Sequence, residues 1–250
     1  MKVAFITGAS AGFGRAAVAR LIDEGWHVAG AARRAVKLDA LSQQFGEHFL
    51  ALPLDVSDRR AVQHGVNTVL EHWGQIDLLV NNAGLALGLD PAQQASLDHW
   101  DTMIATNVNG VAYLAHAVLP HMIKRNQGQI INIGSTAGAY PYKGGNVYGG
   151  TKAFVQMFSQ NLRADLTGTR VRVTHIAPGL CSDTEFSSVR FEGDQTRAAS
   201  VYEGVEAIKP EDIANTIAWV ASQPEHVNIN TIEIMPVAQS FSALSVTRGI

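Results

Sequence analysis

The sequence has a single cysteine in 250 residues, Cys181, so no intrachain disulfide can form, and no Cys/His spacing of the zinc-binding kind occurs. That scarcity fits a reducing cytoplasm. Basic runs are missing as well. With 19 Lys and Arg against 22 Asp and Glu the net charge is −3, which leaves no phosphate-neutralising surface for nucleic acid. No apolar run is long enough to span a membrane, and Met1 to Thr7 gives way to a glycine-rich segment after one short apolar stretch, far short of a signal peptide. The nine histidines lack paired helical spacing, so none is assigned a metal or a chemical role.

What is present describes a well-buried chain with many tight turns: 46% hydrophobic residues, 16% charged and 23 glycines. A length of 250 residues suits one domain spanning 1–250. Short β-rich runs near Val3 to Thr7, His27 to Ala32, Phe49 to Pro53, Asp77 to Val80, Gln129 to Ile133, Val171 to Ile176 and Thr231 to Ile234 alternate with helix-patterned stretches. Parallel strands need crossover helices, so this rhythm predicts an α/β fold, a doubly wound parallel sheet of about seven strands flanked by helices. Long helices are expected over Ser96 to Asn126 and Tyr148 to Leu166, and another from Lys209-Pro210-Glu211-Asp212 to about Ala221, where proline suits the first turn and the acidic pair faces the positive helix end. Between about 181 and 206 the pattern is lost in a stretch rich in Ser, Gly, Asp and Arg. A loop of that length in a compact domain points to an active-site flap.

Thr7-Gly8-Ala9-Ser10-Ala11-Gly12-Phe13-Gly14 follows the first strand and opens a helical pattern. Glycines there let backbone approach a pyrophosphate, and the helix amino terminus offers N–H groups and a favourable dipole. In dinucleotide folds an acidic residue about 20 positions further on serves the NAD ribose, whereas arginine accommodates a 2′-phosphate. Here Ala32 is followed by Arg33 and Arg34, which predicts NADP(H). Tyr148 and Lys152, four residues apart on a helix, share one face, and an ammonium beside a phenol favours phenolate. Ser135, just past the fifth strand, is placed to hydrogen-bond a substrate oxygen.

These motifs, with Asp55-Val56, Asn81-Asn82-Ala83-Gly84, Asn107 and Pro178-Gly179, resemble the short-chain dehydrogenase/reductase family over nearly the whole chain. The resemblance implies a Rossmann-like fold and hydride transfer between a nicotinamide cofactor and a carbonyl or alcohol. It also implies a Ser135, Tyr148, Lys152 and Asn107 tetrad, in which Lys152 binds the nicotinamide ribose and Asn107 holds a relay water. Asp55 is then expected at the adenine amino group, Val56 beside the ring, Asn82, Ala83 and Gly84 along the cofactor, and Pro178 and Gly179 over the nicotinamide. Thr184, one position later than usual, is expected at the carboxamide. A homotetramer is the common family assembly, and the two long apolar helices are candidates for its interface.

The segments Asn82 to Gly88, Gly144 to Tyr148 and Phe186 to Phe191 look like the NADP-dependent 3-hydroxy acid dehydrogenases, with sulfoacetaldehyde reductases a near competitor. Both take a short chain with an anionic head, for which Arg190 is the first candidate partner and Lys143 the second; Asn146, Tyr140 and Tyr142 are candidates to shape the pocket. The carboxyl-terminal run Asn228 to Pro236 departs from the usual family pattern. Reduction of a bulkier sugar, steroid or acyl carbonyl stays open at this point, as does a non-catalytic NADP-binding regulator.

Overall fold

Seven parallel strands form one sheet: β1 (Lys2–Thr7), β2 (Trp26–Ala32), β3 (Phe49–Pro53), β4 (Leu78–Asn81), β5 (Gly128–Ile133), β6 (Val171–Pro178) and β7 (Thr231–Ile234). A computed structural model describes residues 1–240; the end of the expected 1–250 domain, residues 241–250, lies outside the described residues. The spatial order is β3-β2-β1-β4-β5-β6-β7, so the winding reverses between β1 and β4. In open α/β sheets that switch point, at the carboxyl ends of the strands, is where a ligand crevice opens.

The helices are α1 (Gly12–Asp23), α2 (Ala35–Phe45), α3 (Arg59–Trp73), α4 (Leu97–Ile104), α5 (Val111–Arg125), α6 (Asn146–Asp165), α7 (Phe186–Arg190), α8 (Gln195–Ser200) and α9 (Pro210–Ser222). Strand side chains alternate between two cores because successive residues point to opposite faces. Ala4 and Ile6 of β1 join Val18 and Leu21 of α1 and Ile213 and Ile217 of α9 on one face. Val3 and Phe5 join Val66 and Val69 of α3, Leu114 and Val118 of α5 and Leu162 of α6 on the other. The strands from β1 to β6 are therefore mainly apolar, as a sheet covered on both sides requires. The edge strand β7 is the exception, with exposed Thr231 and Glu233.

The expected strands appear to within two residues, and α9 begins at Pro210, with Asp212 accepting from the Lys209 backbone N–H at 2.9 Å. Three features differ from the sequence reading. The long helix expected over Ser96 to Asn126 is broken into α4 and α5 by a π turn, Ala105–Gly110. Wide turns of this kind re-aim a side chain within an otherwise continuous helix, and Asn107 sits in this one. The flap, expected to be irregular, contains α7 and α8. Its neck is closed where Cys181 bridges Ile208: Ser182 N donates to Ile208 O and Ile208 N to Leu180 O. Finally, the unusual run after residue 228 has a structural reason. The Asn228 amide occupies the place of a ladder partner for β6, accepting from Val173 N at 2.8 Å and donating to Val173 O at 3.0 Å.

Candidate active site

The glycine turn between β1 and α1 is built by close backbone approach. Gly8 and Gly12 adopt φ of 67° and 49°, a region costly for other residues, and a side-chain carbon on Gly14 would lie 2.3 Å from Gly8 O. Ala11 provides no side-chain cap, so the first N–H groups of α1 keep their capacity for an anion. Gly8, Ser10, Gly12 and Phe13 line a cavity of about 1020 Å³ at the switch point. Thr7 and Gly14 act from behind. The Thr7 hydroxyl accepts from Asn82 N and Ala83 N, both at 3.0 Å, locking the end of β4 to the turn.

The cavity runs from Arg33 and Arg34 past Asp55, Val56, Asn82, Ala83 and Gly84 to Ser135, Tyr148 and Lys152, and Pro178, Gly179 and Thr184 line it as well. A glycine cradle, an uncapped helix end and two guanidiniums at one end of a long cleft suit a dinucleotide carrying an extra phosphate. Asp55 accepts from Ser57 N and Ser57 Oγ through one oxygen, at 2.9 and 2.7 Å. The cap of α3 is Asp58 instead, accepting from Arg60 N and Ala61 N. Thr184 meets Gly12, its methyl 3.2 Å from where a side-chain carbon would stand, at the pyrophosphate end of the cleft. Arg34 is not free. Glu185, a residue sequence reasoning missed, takes both of its terminal nitrogens at 3.0 and 2.7 Å.

At the far end, α6 presents Tyr148 and Lys152 beside Ser135, which follows β5; both helix residues are buried, at 7% and 6% exposure. Burial pushes the Tyr148 phenol well above its usual value, opposed first by the Ser135 hydroxyl and then by the Arg190 guanidinium. The Lys152 ammonium does not supply the direct lowering expected of it: Nζ lies 6.0 Å from the phenol ring centroid and donates to Ile133 O at 3.0 Å. Burial holds the lysine itself down to about 8. Asn107 accepts from Leu85 N at 2.9 Å and donates to Leu85 O and Thr151 Oγ1 at 2.8 and 3.1 Å. Its Oδ1 and Lys152 Nζ converge on Gly84, where a side-chain carbon would lie 3.2 and 3.3 Å from them and would crowd both.

From the flap, Arg190 donates to Tyr142 Oη at 2.7 Å and to Gly88 O at 3.2 Å, with its guanidinium 5.6 Å from the Tyr148 ring centroid. Lys143, Tyr140 and Tyr142 line the same end, and Tyr140 Oη lies 3.1 Å from Glu233 Oε1. Asn146 stands outside the cavity wall, its exposed amide donating to Asp90 O at 3.0 Å. Gln239 was also missed: it lines the cavity and accepts from Leu180 N at 2.7 Å. Its position follows from the turn after β7, and no local periodicity announces it. Among the described residues no cluster of potential metal ligands occurs.

A glycine cradle at the switch point with a buried tyrosine and lysine beside a serine defines a class, and the family comparison agrees: the model for short chain dehydrogenases matches residues 2–195, and the chain belongs to that family. More particularly, it is 55% identical over 247 residues to the NADP-dependent 3-hydroxy acid dehydrogenase of Salmonella typhi, covering 99% of this chain and all of that one. To the serine 3-dehydrogenase of Agrobacterium fabrum it is 50% identical over 243 residues, 97% of each chain. Among solved structures it is similar to the closed form of a serine dehydrogenase complexed with NADP+, with a TM-score of 0.97 and 51% identity over 99% of this chain and 100% of that one.

Proposed function

We propose that this chain is an NADP(H)-dependent oxidoreductase that interconverts a small anionic hydroxy compound, a 3-hydroxy acid such as serine, and its carbonyl form. The observation that carries the substrate class is Arg190. A guanidinium held by Tyr142 Oη and Gly88 O beside the Tyr148 ring puts a fixed cation next to the proton-transfer group, where a carboxylate can pair with it in bidentate fashion. The names of the two relatives, one a 3-hydroxy acid dehydrogenase and one a serine dehydrogenase, support the same class. The NADP dependence in the name of the first and the NADP+ in the solved serine dehydrogenase structure agree with Arg33 and Arg34 at the end of β2.

When bound, the cofactor supplies the hydride. The chain's own residues bind, orient and move protons. Gly8, Ser10 and Gly12 with the start of α1 hold the pyrophosphate, Asp55 and Val56 the adenine, and Arg33 and Arg34 the 2′-phosphate. Pro178 and Gly179 close over the nicotinamide half, Thr184 lies against Gly12 at the pyrophosphate, and Lys152 holds the nicotinamide ribose. Ser135 donates to the substrate oxygen, and Tyr148 gives or takes its proton according to direction. A phenol raised by burial is a competent acid for carbonyl reduction; the oxidative direction needs phenolate, which the Ser135 hydroxyl and the Arg190 guanidinium favour and to which an oxidised nicotinamide would add positive charge. Asn107 and Lys152, facing each other across Gly84, continue the proton path. The arrangement resembles the closed form of the NADP+-bound relative, with the flap over the cleft.

The test is a comparison of kcat/KM with NADP+ for serine, 3-hydroxypropionate and isethionate. A carboxylate substrate preferred about tenfold or more supports the reading. A preference for isethionate replaces it with sulfonate chemistry, and turnover only of neutral bulky alcohols removes it.

A further inference from the structure

The flap is tied down at both ends of its short helix. Arg190 closes α7 over Tyr148. At the other end Glu185, the residue before the helix, forms a two-pronged ion pair with Arg34 and a second pair with Lys37 Nζ at 2.6 Å. Arg34 Nη2 also donates to Ser10 Oγ in the glycine turn at 3.0 Å. Glu185 and Arg34 are 151 residues apart in sequence, so this cluster exists only while the flap lies over the cleft. Its neighbour Thr184 packs on Gly12. The carboxyl is held down to about 2, first by Arg34, and so stays charged throughout the working pH range.

We propose that Glu185 is the flap latch, a positioning residue that couples closure over the substrate to the adenosine end of the cofactor. The inference rests on the reading that NADP(H) fills this cleft. Charge argues that the latch coexists with the cofactor's 2′-phosphate and does not compete with it. Arg33, Arg34 and Lys37 carry three positive charges against one on Glu185, leaving two, which is the charge of a phosphate dianion. Arg33 lines the cleft and forms no ion pair among the described residues, so it is available to that phosphate. Through α7, five residues long, tension at Glu185 reaches Arg190, and a closed flap holds cofactor and substrate together.

The experiment is stopped-flow release of NADPH, chased with excess NADP+, from wild type, Glu185→Gln and Glu185→Asp. Removing the charge should speed release about 5-fold or more, the effect of one partly exposed charged pair, and Asp should restore part of the difference. Raising salt from about 0.05 to about 0.5 M screens the arginine–phosphate contacts in every variant, so release should quicken in both proteins but by a larger factor in the wild type, which also loses the Glu185 pair. With NADH, which lacks the 2′-phosphate, Glu185→Gln should still release faster. The KM of the anionic substrate should rise with no fall in kcat, and the melting temperature of the cofactor-free protein should hold. A change under about twofold overturns the latch. Slower release confined to NADPH overturns it in favour of competition with the phosphate. Failure of the wild type to bind NADPH at all overturns the cofactor reading itself, and the latch with it.

Discussion

The half of the site carried by the sheet and the half carried by the flap are held by different forces. Tyr148, Lys152 and Asn107 are buried, and the lysine and asparagine make their short bonds to backbone atoms of Ile133 and Leu85, whose positions the core fixes. Glu185 and Arg190 are half-buried, and their partners are a charged cluster, a phenol and one loop carbonyl. Burial shifts proton affinities strongly, and the groups proposed to transfer protons are the ones that the core holds in place. The proposed charge recognition falls on the flap, whose ion pairs lie near the surface and can break and reform at small free-energy cost.

That division predicts unequal losses. On the sheet side, Tyr148→Phe keeps the ring and its packing but removes the hydroxyl proposed to give or take the substrate's proton. Turnover should fall about 10³-fold or more while NADPH affinity stays within about twofold. Steady-state assays with NADPH fluorescence titration check both; turnover near wild type would assign proton transfer elsewhere.

On the flap side, Arg190→Ala should act on binding. The KM for a 3-hydroxy acid should rise about 10- to 100-fold, while KM for a neutral alcohol of the same length moves less than about threefold. Equal losses for both would mean that Arg190 serves flap packing through Tyr142 and Gly88, and the contrast between the halves would narrow.

The same contrast explains what was legible in the sequence. The strands could be read because a sheet covered on both faces imposes apolar runs locally, and the glycine turn because its steric demands fall within eight residues of one another. Tyr148 and Lys152 share one helical turn. Glu185 could not be paired with Arg34 by any local pattern, since their meeting depends on where the flap lands. Gln239 is hidden for the same reason: a turn after an edge strand brings it back to Leu180. The break in the helix at Asn107 was not read either, because Ala105–Gly110 stays helical on both sides and only its hydrogen bonding widens. Asn146, a candidate to shape the pocket near Ser135, instead has its amide turned toward Asp90 O by the first turn of α6.

The smallest expected effect concerns stability, and it separates the halves by pH. On β4, β5 and β6, Asn81, Asn132 and His175 stand side by side in register on the face that α6 covers. Asn81 donates to Asn132 Oδ1 and Asn132 to Ser159 Oγ, but both ring nitrogens of the buried His175 lack partners among the described residues. Gly134 makes room for this ring: a side-chain carbon there would lie 1.9 Å from Nε2. Burial, and then the Lys152 charge, hold the imidazole down to about 4 from its usual 6.5. The unfolded chain therefore binds this proton first. The histidine's contribution is intact above pH 6.5 and is lost progressively as pH falls toward 4. Between about pH 7.5 and pH 5 the loss should be about 2 kcal/mol. Glu185, held down to about 2, keeps its charge over that window and so contributes no matching slope. Urea melts at the two pH values should show the loss in the wild type and a reduced one in His175→Gln. An equal loss in both would place the acid sensitivity outside the sheet row.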